Sequence, residues 1–282
     1  MRVDPVWLAN GFPQLKELRP LSEGGQKWVY RCQHPEHGEC ALKLMKPGGE
    51  RYVDRELEAI RRVSSNNVPE VHEVGEIDTP VGQCVWILEQ YVDGTDLSDI
   101  LSEGPMEQEQ LLRLALDLVS IATDAETSKV VHRDIKPANI KIDRTGKAWL
   151  LDFGIARILD LKSKTSTGAV MGPHTAGYSA PEQFKYRKRA IGGRSDLFAI
   201  GVVLYECATG RNPFLQGTQD SAEILRRVEQ EPLPSLELDW DHNREFSDFV
   251  SALTQKQTHQ RPRSCMNAAS WLRETIEHLG GA

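Results

Sequence analysis

Along the first ninety residues, apolar and β-branched side chains come in short runs broken by turn signals. Leu18 to Arg31, Glu39 to Met45, Val68 to Gly75 and Val85 to Leu88 read as strand-forming, punctuated by His37-Gly38 and Pro47-Gly48-Gly49. One stretch has a different period. From Asp54 to Val63, Leu57, Ile60 and, more weakly, Ala59 and Val63 make one apolar face with Arg and Glu opposite, which predicts a helix. Beyond about residue 96 the helical period takes over. Leu111, Leu114, Ala115, Leu118 and Ala122 recur at i, i+3, i+4, i+7 and i+11 within Met106 to Ala125. Ile140 to Ile142 and Ala148 to Leu151 flank Asp143-Arg144-Thr145-Gly146, a turn with Asp at its start and Gly at its end, so a hairpin is expected there. Helical patterning returns at Ser195 to Ala208, Ala222 to Val228, Phe246 to Leu253 and Asn267 to Leu279. Strands first and helices after predict an α+β chain in two lobes.

Composition narrows the classes. Lys+Arg 34 against Asp+Glu 41 leaves a formal charge of −7 over 282 residues, which excludes a generally basic nucleic-acid coat; no nucleic-acid partner is expected. The most apolar stretch, Leu197 to Ala208, is interrupted by Gly201 and Glu206, far short of the roughly 20 residues that cross a bilayer, so it reads as a buried helix and no membrane span is expected. The five cysteines are odd in number and form no C-x-x-C pair. They read as free thiols in a reducing compartment, and with Asp4 and Pro5 standing where a secretory signal would be apolar, a cytoplasmic location is expected. Cysteines and histidines show no zinc-ligand spacing, so no zinc site is expected. Lys185, Arg187, Lys188, Arg189 and Arg194 form a local basic run, read first as a solvated loop and second as a docking site for an acidic substrate.

The chemistry concentrates in His132-Arg133-Asp134-Ile135-Lys136-Pro137-Ala138-Asn139: a carboxylate, a cation two residues on and an amide five residues on, within one loop. Phosphoryl transfer needs such groups. Asp134 would orient a hydroxyl and take its proton, Lys136 would balance the migrating charge, and Asn139 would give a metal an oxygen. Beyond the hairpin, Asp152-Phe153-Gly154 offers a second carboxylate suited to a metal that bridges β- and γ-phosphates.

With these motifs in this order, roughly residues 15 to 278 resemble the eukaryotic-like serine/threonine protein kinase family, with the wording of its bacterial branch. The resemblance implies a two-lobed kinase fold: an antiparallel N-lobe sheet with one helix over residues 15–90, and a mostly helical C-lobe over 91–280, preceded by an N-terminal extension, 1–14. It implies ATP as cofactor with Mg²⁺, or Mn²⁺ in its place, held by Asn139 and Asp152. Ala41-Leu42-Lys43 looks like the lysine strand, with Lys43 on the α/β-phosphates and Glu56 its partner, Glu58 being the alternative. The hinge would be Gln90-Tyr91-Val92, which makes Glu89 the gatekeeper, a polar residue at a usually apolar position. Glu182 of Ala180-Pro181-Glu182 and Arg261 would form a buried structural pair, and Asp196 would anchor the catalytic loop.

One element departs from the family. In Leu21-Ser22-Glu23-Gly24-Gly25-Gln26-Lys27-Trp28-Val29, the middle glycine, Gly24, and Val29 survive of G-x-G-x-x-G-x-V, while Ser22 and Lys27 replace the outer glycines; Gly25 restores some freedom and Lys27 could lend a charge to the phosphates. Lys136 together with Thr175 looks like a kinase acting on serine and threonine of protein substrates. Arg133 before Asp134 suggests control by phosphorylation of Thr165, Ser166 or Thr167, Thr167 first, with self-association serving trans-autophosphorylation. The competing readings are a pseudokinase that binds nucleotide or acts as a scaffold, and a small-molecule kinase.

Overall fold

The computed structural model describes residues 5–23, 27–46, 65–153, 173–184 and 190–280. The helix expected over 54–63, with Glu56 and Glu58, lies outside the described residues, as do Gly24, Gly25, Thr165, Ser166, Thr167 and the basic residues 185–189.

The N-terminal half is an antiparallel sheet of β1 (Lys16–Glu23), β2 (Lys27–His34), β3 (Gly38–Met45), β4 (Val71–Thr79) and β5 (Gly82–Gln90), in spatial order β1-β2-β3-β5-β4. The apolar run Leu18 to Arg31 is thus two strands, bent where the β1/β2 register shifts between Pro20 and Ser22, as expected of a proline that has no amide to donate. Period-2 alternation sorts the side chains of this sheet. Trp28, Tyr30, Cys32, Cys40, Leu42, Leu44, Cys84 and Leu88 form one buried cluster, while Met45, Val85 and Ile87 join a different one.

The first cluster is capped by α1 (Pro5–Gly11), too short for its period to show in the sequence. Leu8 and Phe12 are buried in it, and the Phe12 ring meets Trp86 edge-on at 5.2 Å. Leu8 and Phe12 therefore pack as part of the N-lobe core.

The C-terminal half carries a second small sheet of β6 (Gly94–Asp96), β7 (Ile140–Asp143) and β8 (Ala148–Leu150), and helices α2 (Leu97–Glu103), α3 (Gln108–Thr127), the single turns α4 (Pro173–Ala176) and α5 (Pro181–Phe184), then α6 (Gly193–Thr209), α7 (Ser221–Gln230), α8 (Glu245–Leu253) and α9 (Cys265–His278). The expected α+β architecture and the hairpin at 140–151 are borne out. α6 is the hub, packed against α3, α8 and α9 and buried almost throughout. It approaches α8 so closely that a Cβ on Gly201 would lie 2.6 Å from Thr254 Cγ2 and 2.9 Å from Leu253 Cβ, which is why glycine interrupts an otherwise apolar helix. No helix among the described residues is long and apolar enough to cross a membrane. The five cysteines are all free and buried, and desolvation pushes the Cys32 thiol up to about 12.

Candidate active site

The loop between α3 and β7 is held from below. Asp196, in the first turn of α6, accepts the backbone amides of His132 and Arg133, each at 2.8 Å. Arg133 sits at φ 68°, a left-handed conformation unfavourable for a side-chain-bearing residue, so the carboxylate offsets the strain with two charge-assisted hydrogen bonds. Burial is the largest influence on Asp196 and raises its pKa, against the amides and His132. His132 itself joins neighbouring segments: its ring meets Phe153 edge-on at 4.9 Å, and Nε2 lies 2.9 Å from the Leu151 carbonyl.

On that base Asp134 is fixed by two side chains. Lys136 Nζ donates to both carboxylate oxygens at 2.9 and 3.0 Å, and to Thr175 Oγ1 at 2.9 Å. Asn139 Nδ2 donates to Asp134 Oδ2 at 3.0 Å and to its carbonyl at 2.8 Å. A hydroxyl, an ammonium, a carboxylate and an amide thus form one cluster. The β7/β8 hairpin then brings the second carboxylate alongside. Ile140 pairs with Leu150 and the Leu151 amide donates to the Asn139 carbonyl at 2.8 Å, so Asn139 and Asp152 lie on neighbouring strand ends.

Asp152, also left-handed at φ 62°, faces the large sheet. One oxygen takes Lys43 Nζ at 2.7 Å, the other Lys27 Nζ. Lys43 pairs in addition with Glu89 Oε1. The strand register explains why these groups meet. Lys43 lies opposite Val29 and Ile87, Lys27 opposite Met45, and Glu89 opposite Ala41, which places Lys27 and Glu89 at diagonal positions from Lys43 on one face. Burial works against the Lys43 ammonium, but Asp152 and Glu89 outweigh it and hold its pKa above the ordinary lysine value. Burial likewise disfavours the Asp152 carboxylate, yet the two lysines keep it well below the usual range. The other two members go the opposite way. Desolvation raises Glu89 and lowers Lys27.

The remaining expected nucleotide-lining residues are placed as follows. Val29 and Ala41 are buried on the same face, Gln90 closes β5, Val92 is buried just beyond it, and Ser22 pairs with Val29 across β1/β2. Leu21 is 46% exposed. Glu182 and Arg261 meet as expected in the C-lobe, at 2.7 and 3.0 Å through two nitrogens and two oxygens. The role of Glu89 as a partner of Lys43 escaped the sequence reading, although a lone acid ending Val85-Trp86-Ile87-Leu88 is its trace. Gln183 escaped it too. Its amide donates to the Arg133 carbonyl at 2.9 Å and its oxygen accepts from the Ala180 amide at 3.0 Å, tying the Ala-Pro-Glu segment to the catalytic loop.

The donor set suits a divalent cation. Asn139 commits its amide nitrogen to Asp134, which turns its oxygen away as an acceptor, and Asp152 gathers two ammoniums where one doubly charged ion could stand. A second cluster, His34, His37 and Glu73, has ligand atoms within 4.8 Å of one another, with Glu73 coming from a strand that the sequence spacing did not join to the histidines. Its rings are stacked instead of convergent: His37 lies 4.6 Å from His34 and 4.2 Å from His72 at interplanar angles of 21° and 1°. His34 Nδ1 also accepts the amides of Glu36 and His37 at 3.2 Å, which leaves the proton on Nε2, facing Glu73. In that tautomer His34 has no free ring lone pair to offer a metal.

Comparison with known proteins places this geometry. The family model described as the protein kinase domain matches residues 15–274. Among curated proteins, a serine/threonine-protein kinase PknB from Mycobacterium leprae is 37% identical over 223 residues, covering 76% of this chain and 35% of its own length. A probable serine/threonine-protein kinase from Corynebacterium efficiens is 38% identical over 227 residues, 77% of this chain and 34% of its own. The chain thus spans about a third of the length of these relatives. With the sheet, the anchored loop and the paired carboxylates in these positions, the chain belongs to the protein kinase family.

Proposed function

We propose that this chain is a serine/threonine protein kinase domain, with lobes at 15–90 and 91–280, that moves the γ-phosphoryl of ATP to hydroxyls of protein substrates in a reducing cytoplasm. The observation that carries the reading is the Asp134 cluster: the carboxylate is aimed by Lys136 and Asn139, and Lys136 already holds one threonine hydroxyl, that of Thr175. In the transfer, an acceptor hydroxyl oxygen bonds to the γ-phosphorus, the bond from that phosphorus to the β-bridging oxygen breaks, ADP leaves, and the hydroxyl proton passes to Asp134. Lys136 balances charge on the migrating phosphoryl group. Asn139 and Asp152 would hold Mg²⁺, or Mn²⁺, which supplies charge neutralisation between the β- and γ-oxygens. Lys43 would hold the α/β-phosphates, with Glu56 or Glu89 as its counter-charge, and Gln90 to Val92 would meet the adenine.

Mass spectrometry of the chain incubated with Mg·ATP, beside Asp134→Asn, tests this. New phosphate on serine or threonine in the parent, Thr165, Ser166 and Thr167 first, and none in the variant is the expected result; equal labelling of both would remove Asp134 from its role. A scaffold reading draws on Ser22 and Lys27, which stand where the family has glycines. It predicts no labelling of either chain and no thermal shift with millimolar Mg·ATP.

A further inference from the structure

Position 27 departs from the family where glycines let backbone amides approach phosphate, and a charged side chain stands there that the transfer scheme above does not use. Lys27 opens β2 and leaves the sheet on the face of Lys43 and Glu89. Its side chain is 20% exposed, so an ammonium there needs a counter-charge, and Asp152 supplies it. The cleft is then balanced, with Lys27 and Lys43 against Glu89 and Asp152. Entry of a divalent ion and a polyphosphate upsets that balance in one place. Asp152 would hold the ion, which would leave Lys27 without that partner and free to meet the phosphate oxygens. Lys27 already touches the carboxylate that would hold the ion, and an ion there would supply charge neutralisation to β- and γ-phosphate oxygens, so those oxygens would arrive beside its ammonium.

We propose that Lys27 is a phosphate ligand of this kinase, exchanging Asp152 for β- and γ-phosphate oxygens of a bound nucleotide and doing with a side-chain cation what the family does there with a glycine backbone. The proposal rests on the nucleotide reading above. It makes a graded prediction: the contribution of Lys27 follows phosphate charge and is absent for a nucleoside.

Calorimetric titration of the unaltered chain, Lys27→Met and Lys27→Arg with Mg·ATP, Mg·ADP and adenosine reads this without turnover. Lys27→Met is expected to weaken ATP and ADP by about 10- to 100-fold, as for loss of a charge-assisted hydrogen bond, with adenosine unchanged and Lys27→Arg restoring most of the affinity. Unchanged ATP affinity in Lys27→Met would overturn the proposal. So would tighter ATP binding, which would make Lys27 a competitor of nucleotide for Asp152, or an equal loss for adenosine, which would make it a structural prop. An unaltered chain that binds none of the three ligands would overturn the nucleotide reading together with the proposal, whereas binding by that chain with no selective loss in the variant overturns the proposal alone. If Lys27→Met does not fold, Lys27→Gln gives the same comparison.

Discussion

In the C-lobe Glu182 and Arg261 meet as a closed pair, whereas across the cleft Lys27, Lys43, Glu89 and Asp152 share partners. Every group of the first arrangement is committed. Glu182 takes two guanidinium nitrogens and Ser195 Oγ at 2.7 Å, while Arg261 also donates to the carbonyls of Gln255 and Arg194 at 2.7 and 2.8 Å. The planar fork fits the carboxylate, and no small ligand could replace it without leaving donors bare. In the cleft, Asp152 divides itself between two lysines and Lys43 divides itself between two carboxylates. Compact ammoniums that share partners can hand one over to an incoming ion. Two kinds of buried charge thus serve one molecule, the first as a rivet and the second as a set of exchangeable contacts.

Breaking the rivet should have the largest effect. Arg261→Ala leaves Glu182 buried without its partner and is expected to cost about 3–5 kcal/mol of folding stability, lowering Tm by roughly 10 °C or more in calorimetry. Nucleotide affinity measured well below that Tm should stay the same. If affinity fell in step with stability, the two charge systems would not be separable.

Lys43→Met should do the opposite. Glu89 can take up a proton, since burial already raises its pKa, and Asp152 keeps Lys27, so stability measured by urea titration should fall by only about 1–2 kcal/mol. Transfer, followed as phosphate incorporated per minute, should fall about 10²- to 10³-fold, as when one preorganised charge contact is removed. A variant that unfolds but retains its specific rate would reverse the assignment.

The pair can also be sharpened by pH. Burial disfavours the Glu182 carboxylate, but Arg261 and Ser195 hold its pKa below the ordinary value of 4.5. A depressed folded pKa gives stability that is fully present above the unfolded value and is lost as pH falls through the folded one. The difference in unfolding free energy between the parent and Arg261→Ala should therefore be largest near neutral pH and shrink as the pH falls toward and below 4.5, because the partnerless Glu182 of the variant takes up a proton first. A difference that grew on acidification would have the wrong sign.

The smallest effect tests a charge that belongs to neither group. Lys256 Nζ is buried over the rings of Phe214 and Phe198, at 4.5 and 5.3 Å, with no hydrogen-bond acceptor among the described residues, and burial lowers its pKa to about 8 with Arg261 adding to the effect. Lys256→Met keeps the packing and removes the desolvated ammonium, so a gain of about 1 kcal/mol at pH 7 is expected. The unfolded chain binds the extra proton between about pH 8 and 10.5, so the parent gains stability across that window and the advantage of the variant should fade. No gain at pH 7 would mean that the cation–π contacts alone balance the burial.

The motifs around Asp134 and Asp152 were legible because their chemistry is local: eight residues of one loop and three after one hairpin. The same holds for the helical period of α3 and α6. The N-terminal cap was not legible, since seven residues of α1 hold too few turns to show a stripe, and what makes α1 a helix is the sheet beneath Leu8 and Phe12. Nor was the Lys43–Glu89 contact. It depends on the order β3-β5 and on a register that sets Ala41 against Glu89, and neither can be read from positions 46 residues apart in the chain. The lysine at 27 was visible as an exception, but its link to Asp152 is a fact of folding, 125 residues away.

The carboxylate of Glu89 has a consequence for inhibitors. If Gln90 to Val92 meet the adenine as proposed, a compound extended past the adenine along β5 passes Glu89, the residue before Gln90. Here that route meets a buried acid already engaged by Lys43. An apolar group placed there would strip both charges of water and of each other. A compound carrying a basic amine at that point would keep Glu89 paired, and it would discriminate against every kinase whose corresponding residue is uncharged.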